Sequence, residues 1–270
     1  MAFIGCAGSS PASSTGEHGI MITSRISKPA SFLLLTSLLV SPVRAEDFNF
    51  NLYINVGFIK VQSGTARIFD SDVLYNGRSA VRTAMEMSTD AKADRIYPIR
   101  DTVESYSTRD GESLFFRKSI NEGEKKVVET AVYSKDKGRF IVNMKKVGLP
   151  DKRDLGHATE WRESRIYDLM SMLNYARRID TSGSEPGRTE TLPMVNGDMV
   201  VQQYLVYTGN KTIKADDGKQ YDCMIISVRD YKEGKERETL KAYVTNDAYH
   251  RPIQLDIPVG TGISIRALLK

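Results

Sequence analysis

The residues best suited to chemistry lie in two short segments. Residues 154–161 contain His157 and Trp161, the single tryptophan, and a helical pattern further on ends with Tyr175 and Arg177. Trp161 can stack on a sugar ring, and His157 or Tyr175 can act as a general base. An arginine beside that base would neutralise a substrate carboxylate. Because this set suits β-elimination of a uronic-acid polymer, His157, Tyr175 and Arg177 are the candidate catalytic residues.

A second set of residues is predicted to bind a ligand rather than to react with it. Trp161, Arg100 and Arg178 are the candidates, by their aromatic or cationic character. Trp161, Tyr175 and Arg177 also have ordinary structural explanations. A lone tryptophan commonly packs in a core, a tyrosine at a helix end packs its ring, and an arginine there interacts with the helix dipole. The sequence leaves both interpretations open.

Arg177 carries a more specific structural expectation. Its planar fork can bind a carboxylate through two hydrogen bonds, and a helix C-terminus favours a cation. We expect Asp101 to be its partner, with Asp180 as the local alternative.

Several reaction classes lack their sequence signatures. The two histidines after residue 45, His157 and His250, have neither the HxxxH nor the CxxC spacing of metal sites. Neither a GxSxG elbow nor a glycine-rich phosphate loop occurs. The formal net charge of +4 for the whole chain is too small to indicate a nucleic-acid partner. We therefore expect no metal, no cofactor and no nucleic acid.

The N-terminal region has the pattern of a secretory signal peptide. Arg25 and Lys28 precede an apolar run over residues 30–41, which ends near a small-x-small site at Val43 and Ala45. The run is shorter than the ~20 residues that span a bilayer. We expect residues 1–20 to be an upstream extension, 21–45 the signal peptide, and 46–270 a single β-rich domain. This domain would be periplasmic or secreted after cleavage near Ala45; a lipid anchor at Cys6 is the alternative.

Most of the chain after residue 45 alternates between apolar and polar residues. Such alternation predicts antiparallel strands with one face in a core. The C-terminal strands show it most clearly, and their predicted inward residues are Ile253, Leu255, Ile257, Ile263 and Ile265. Earlier strands are predicted at 47–56, 58–69, 78–88, 101–108, 113–121, 126–134 and 139–147.

One segment has helical spacing instead. Leu169, Met172, Leu173 and Ala176 would share one helix face, and Asp168 is a suitable N-cap. The predicted helix covers residues 169–177. The fold class is therefore all-β: a single strongly curved antiparallel sheet or open barrel, with one short helix packed across it.

Several of these segments together resemble a known family. They include YINVGFIK at 53–60, YPIRD at 97–101, YDLMSMLNYAR at 167–177, and residues 244–247 and 252–260. In this combination the chain resembles the exported bacterial proteins grouped as domain-of-unknown-function family 3108. The resemblance implies an exported β-rich fold, and it supplies no catalytic residues.

Two functions remain open. The first is a non-catalytic envelope protein that binds a lipid, glycan or other amphiphile in a concave cleft of the sheet, without spanning the membrane. The alternative is a carbohydrate-active enzyme, a polysaccharide lyase or hydrolase, acting on an acidic glycan. The lining of the cleft distinguishes them. Aliphatic walls favour a lipid, whereas converging Tyr, Trp, Arg and His side chains favour carbohydrate chemistry.

Overall fold

The computed structural model describes residues 46–95 and 97–270, so the predicted segments 1–20 and 21–45 lie outside it. The described residues form one sheet of fourteen antiparallel strands, which confirms the predicted fold class. The strands are β1 (Asp47–Val56), β2 (Ile59–Tyr75), β3 (Arg78–Thr89), β4 (Arg100–Ser107), β5 (Ser113–Glu122), β6 (Lys125–Asp136), β7 (Arg139–Gly148), β8 (Arg153–Arg162), β9 (Thr189–Asn196), β10 (Met199–Lys214), β11 (Gln220–Lys232), β12 (Lys235–Thr245), β13 (Pro252–Gly260) and β14 (Ile263–Leu269).

The sheet consists of two meanders joined in the middle. Strands β1 to β8 pair in chain order, as do β9 to β14, and β1 pairs with β14. The two ends of the sheet then approach each other. On β8, Glu160 Oε1 accepts a hydrogen bond of 2.7 Å from the backbone N–H of Val200, and Arg162 donates to the carbonyl of Val200 at 3.3 Å. We call these contacts the seam. They make the sheet a nearly closed barrel.

The single α-helix, α1, covers Leu169–Ala176 between β8 and β9. Asp168 is its N-cap, as predicted: its side chain accepts from the backbone N–H groups of Met170 and Ser171, and the Ser171 hydroxyl accepts from the N–H of Asp168. Such a capping box satisfies N–H groups that have no partner inside the helix. The helix buries Met170, Met172, Leu173 and Ala176, and these side chains join the core inside the barrel.

The strand connections alternate between two ends of the barrel. The helix end contains α1 and the connections β2–β3, β4–β5 and β6–β7. The far end contains the hairpins β1–β2, β9–β10, β11–β12 and β13–β14. A short 3₁₀ helix, Ala93–Arg95, also lies at the far end. No helix among the described residues is long and apolar enough to cross a membrane.

Three local expectations differ from the structure. Ile263, predicted to point inward, is 40% exposed at the start of β14 and belongs to neither core cluster. Strands β8, β9 and β10 were not predicted; β8 and β9 are the two edges of the sheet, and most residues of β8 are exposed or half-buried. Ile253 is fully buried, but it packs in a small second cluster with Cys223 and Tyr243, apart from the main core that holds Leu255. The pairing of β12 with β13 shifts between Tyr243 and Val244, and this bulge changes the face on which Ile253 lies.

Candidate functional site

A cavity of about 280 Å³ lies inside the barrel beside α1, and we call it the chamber. One face of the helix, with Leu169, Met172 and Leu173, forms its floor. Strands β3, β5, β9, β11, β12 and β13 supply the apolar part of its wall: Met85, Phe116, Met194, Val195, Val228, Leu240, Leu255 and Ile257. The described residues that line the chamber include no Trp, Tyr or His.

The chamber lies on the far-end side of the helix. Asn196 ends β9, Asp230 lies near the end of β11, and Arg237 lies near the start of β12. The side chain of Arg237 is 53% exposed, so this part of the lining reaches solvent. A molecule entering from the far end would therefore meet charged residues first and the apolar floor last.

Gln203 is the polar residue buried most deeply in the chamber lining. It lies on the inward face of β10, in register with Leu205 and Tyr207, and is only 2% exposed. Its Oε1 has no hydrogen-bond partner among the described residues. Leaving a buried acceptor unpaired costs about 1–3 kcal/mol. A ligand that donates a hydrogen bond here would remove that cost.

The charged residues of the lining are balanced. Asp230 accepts two hydrogen bonds from Arg237, at 3.0 and 2.6 Å. Glu129 lies 3.6 Å from Lys146, which is just outside the lining, and Lys118 supplies a second cation. Because two acids and two bases line the chamber, its charge selects neither an anion nor a cation strongly.

The three candidate catalytic residues face different surroundings. His157 lies on β8 with its side chain 77% exposed and contacts Asp154 at 3.2 Å. Tyr175 donates a hydrogen bond of 2.5 Å to Glu190. No contact joins His157, Tyr175 and Arg177 to one another within the described part of the chain, so the structure does not assemble the set that the sequence suggested.

Arg177 has a different partner from the two expected carboxylates. Its Nη1 donates to Glu46 Oε2 at 2.7 Å, and its Nε donates to the carbonyl oxygen of His250 at 2.8 Å. The expectation of Asp101 or Asp180 was therefore wrong. Asp101 instead accepts from the backbone N–H of Asn121 on the next strand.

The predicted ligand-binding residues are also dispersed. Trp161 is 47% exposed on β8, with the Arg139 guanidinium 4.2 Å from its ring centroid. Arg100 forms an ion pair with Asp94 at 2.5 Å at the far end. Of these three, only Arg178 shares a cavity with a candidate catalytic residue, Tyr175.

That cavity is a polar groove of about 480 Å³ at the helix end, on the opposite side of α1 from the chamber. Tyr175 and Arg178 line it together with Asp70, Arg188 and Glu190. The hydrogen bond to Glu190, with burial as the second cause, raises the pKa of Tyr175 to about 12. A general base needs its pKa near the working pH, so this environment does not suit Tyr175 to that role.

Sequence reasoning missed the chamber residues Gln203 and Asp230. A signal was present for Gln203, because it occupies an inward position of an otherwise apolar alternation with Leu205 and Tyr207. The same signal was present for Asp230: the extra residue of the bulge between β11 and β12 is Thr239 on β12, so β11 keeps its alternation and Asp230 continues the inward row of Ile226 and Val228.

Comparison with known proteins supports the fold and adds a family. A family model described as "Protein of unknown function (DUF3108)" matches residues 49–270. Among solved structures, the chain is similar to a β-barrel-like protein of domain of unknown function DUF1849 from Brucella abortus. The identity is 12%, the TM-score is 0.54, and the match covers 83% of this chain and 95% of that one. At this identity the likeness shows the fold alone. No curated protein matches the chain.

Proposed function

The chain belongs to the DUF3108 family, whose function is unknown, and from that premise we propose that it is an exported, non-catalytic protein that binds a lipid or another single-tailed amphiphile in the chamber. The observation that carries the proposal is the lining: an apolar floor and wall, one buried amide oxygen without a partner, and the ion pair of Asp230 with the half-exposed Arg237 toward the far end. An amphiphile has this same order of groups along its length.

The burial of apolar surface favours the acyl chain of a lipid over a sugar as the ligand. Burying apolar surface contributes about 25 cal/mol per Å², and the chamber offers mainly Met, Leu, Ile, Val and Phe side chains. A glycan would need an aromatic platform, whereas phenylalanine is the single aromatic residue of the described lining and eleven of its eighteen residues are apolar. The volume is near the lower end of known ligand pockets, ~300–1,000 Å³, which suits one acyl chain.

Export is part of the proposal and is supported by the sequence pattern of residues 21–45. Cleavage after Ala45 would leave Glu46, the partner of Arg177, as the first residue. Mass spectrometry of the protein recovered outside the cytoplasm tests this step. An exported chain that still contains residues 21–45 would contradict it.

Filling the chamber tests the binding function directly. Met194 lines the chamber, whereas Met199 lies on the neighbouring strand with 53% of its surface exposed. We expect Met194→Trp to weaken the binding of a dansyl-labelled undecanoic acid by tenfold or more, an effect of about 1.4 kcal/mol. Met199→Trp is the matched control and should bind as the unchanged protein does. Fluorescence titration measures both.

Competition distinguishes the candidate ligand classes. Dodecanol and lauric acid should displace the dansyl probe, whereas oligogalacturonate should not. If the unchanged protein fails to bind the probe, or if a folded Met194→Trp variant binds it equally well, the chamber is not the binding site. Displacement by oligogalacturonate, or its depolymerisation, would instead favour the alternative, an enzyme acting on an acidic glycan.

A further inference from the structure

Most of the exposed large apolar side chains lie at one end of the barrel. At the far end, with their exposed fractions, these are Val56 (49%), Phe58 (109%), Ile59 (65%), Val61 (54%), Tyr97 (47%), Leu149 (41%), Met199 (53%), Tyr231 (58%), Val259 (55%) and Ile263 (40%). Exposed apolar residues scattered singly need no explanation, but a contiguous group marks an interaction surface.

Six of these residues belong to two adjoining hairpins. Strand β1 pairs with β14, and this register places Val56 opposite Ile263. The turns themselves are joined, because the backbone N–H of Gly57 donates to the carbonyl oxygen of Gly262 at 3.0 Å. The side chains of this hairpin patch are Val56, Phe58, Ile59, Val61, Val259 and Ile263. The patch is therefore continuous across two turns that hydrogen bonds hold together.

The charge content of the two hairpins indicates what the patch contacts. Residues 56–62 and 257–264 contain no Asp or Glu and a single cation, Lys60. Lys60 Nζ lies 3.7 Å from the centroid of the Tyr53 ring, beside the apolar tips. Apolar side chains with a neighbouring cation suit a bilayer surface, where the side chains enter the boundary of headgroups and acyl chains while the cation meets lipid phosphate.

We propose that the hairpin patch docks the protein onto a lipid bilayer, with the far end of the barrel facing the membrane. This inference goes beyond the proposed function, and it explains how a ligand could reach the chamber from the bilayer. The exposed side of the chamber lies at the same end of the barrel, among Asn196, Asp230 and Arg237. A docked barrel would exchange its amphiphile with the bilayer across a short distance.

A tryptophan placed in the hairpin patch reports docking locally. The test uses the full chain with Trp161→Phe, so that the introduced indole is the only one, and vesicles of phosphatidylcholine and phosphatidylglycerol. In Phe58→Trp, we expect the emission to shift to the blue on adding vesicles and to be quenched by brominated lipid. Leu74→Trp is the matched control, because Leu74 is 78% exposed near the opposite end of β2. Its emission should not change.

A second variant measures the strength of docking. Replacing both Phe58 and Ile59 by Ser removes two large apolar side chains, so vesicle partitioning should fall about tenfold or more. Binding of the dansyl probe by the chamber should not change, which separates this inference from the proposed function.

Two results would overturn the inference. One is a Phe58→Trp variant whose emission neither shifts to the blue on adding vesicles nor is quenched by brominated lipid. The other is an indole that becomes buried without lipid as protein concentration rises, which would show that a second copy of the chain covers the hairpin patch. Failure of the unchanged protein to bind the dansyl probe would refute the chamber proposal alone.

Discussion

Arg177 links three separate segments of the chain at the helix end of the barrel. Its side chain is 10% exposed and bonds both Glu46 and the carbonyl oxygen of His250, so it joins the start of β1 and the segment before β13 to the end of α1. Its guanidinium also lies 5.3 Å from the ring centroid of Phe48. These contacts indicate a structural role, the one that an arginine at a helix C-terminus most commonly has.

Asp101 supports a prediction about pH. It is 4% exposed, and burial, with the nearby Glu122 as a further cause, raises the pKa of its carboxyl to about 6, against the hydrogen bond from Asn121 that lowers it. Because the folded-state pKa exceeds the unfolded value of ~3.9, folding favours the protonated form. The resulting stability is fully present below about pH 4 and is lost as the pH rises through about 6.

Asp101→Asn should remove this dependence. The amide oxygen can still accept from the N–H of Asn121, but the group no longer titrates. We expect the melting temperature of the unchanged protein to rise, relative to that of Asp101→Asn, as the pH falls from about 7 to about 5. Asp94→Asn is a control that should follow the unchanged protein over this range, because hydrogen bonds from Arg100 and Thr89 lower the pKa of Asp94 below its ordinary value of 3.8, and its contribution is lost only at lower pH. Parallel curves for Asp101→Asn and the unchanged protein would contradict the prediction.

Among the elements, α1 is the one that lines both the chamber and the polar groove. It forms the floor of the chamber on one face and lines the polar groove on another. With eight residues it is too short to be stable alone, so its cap and its packing must hold it. Asp168 is wholly buried and accepts from Met170, Ser171 and the hydroxyl of Ser105. Burial raises the pKa of its carboxyl, although these hydrogen bonds oppose the shift.

Asp168→Ala should therefore weaken both the fold and the site. The loss of the cap costs about 0.5–2 kcal/mol, and the unpaired Ser105 hydroxyl adds to it. Asp168→Asn should cost less, because asparagine is also a good N-cap. Urea denaturation measures the free energy of unfolding of the two variants, and the dansyl probe reports whether the chamber floor is kept. Equal stability of Asp168→Ala and the unchanged protein would show that the cap does not hold α1.

At the scale of the whole molecule, closure of the barrel depends on the seam. Glu160 and Arg162 contact one another at 2.7 Å and supply the acceptor and the donor that the backbone of Val200 requires. Nearby, the chain after β8 adds to β9: the N–H of Tyr167 donates to Pro193, and its carbonyl accepts from Val195. Side chains and a short bridge thus take the place of a full strand pairing at the closing point.

Because the seam lies at the closing point of the sheet, we expect that removing one of its contacts opens the barrel locally without unfolding it. Glu160→Ala removes the acceptor of the Val200 N–H, so the exchange of this amide with deuterium should quicken by about tenfold, corresponding to ~1.4 kcal/mol. Amides in the central strands β1 and β14 should keep their protection. Glu163→Ala, which removes an exposed neighbouring carboxylate, is the control. Unchanged exchange at Val200 in Glu160→Ala would mean that other contacts close the barrel.

The sequence by itself determined the local features of this protein. Alternation along the chain predicted most of the strands, and helical spacing after Asp168 predicted α1 with its cap, because both signals arise from residues within a few positions of each other. The segments quoted for the family resemblance likewise identified the family correctly, since the DUF3108 model matches residues 49–270.

Only the tertiary structure decided which distant residues meet. Arg177 binds Glu46, which is 131 positions away along the chain, and the chamber combines α1 with wall strands from both meanders. A bulge redirected Ile253, and β8, as an exposed edge strand, lacked the alternation that marks a buried face. The physical reason is common to all four cases: strand order, register and closure set the distances between far-apart residues, and no local pattern encodes them.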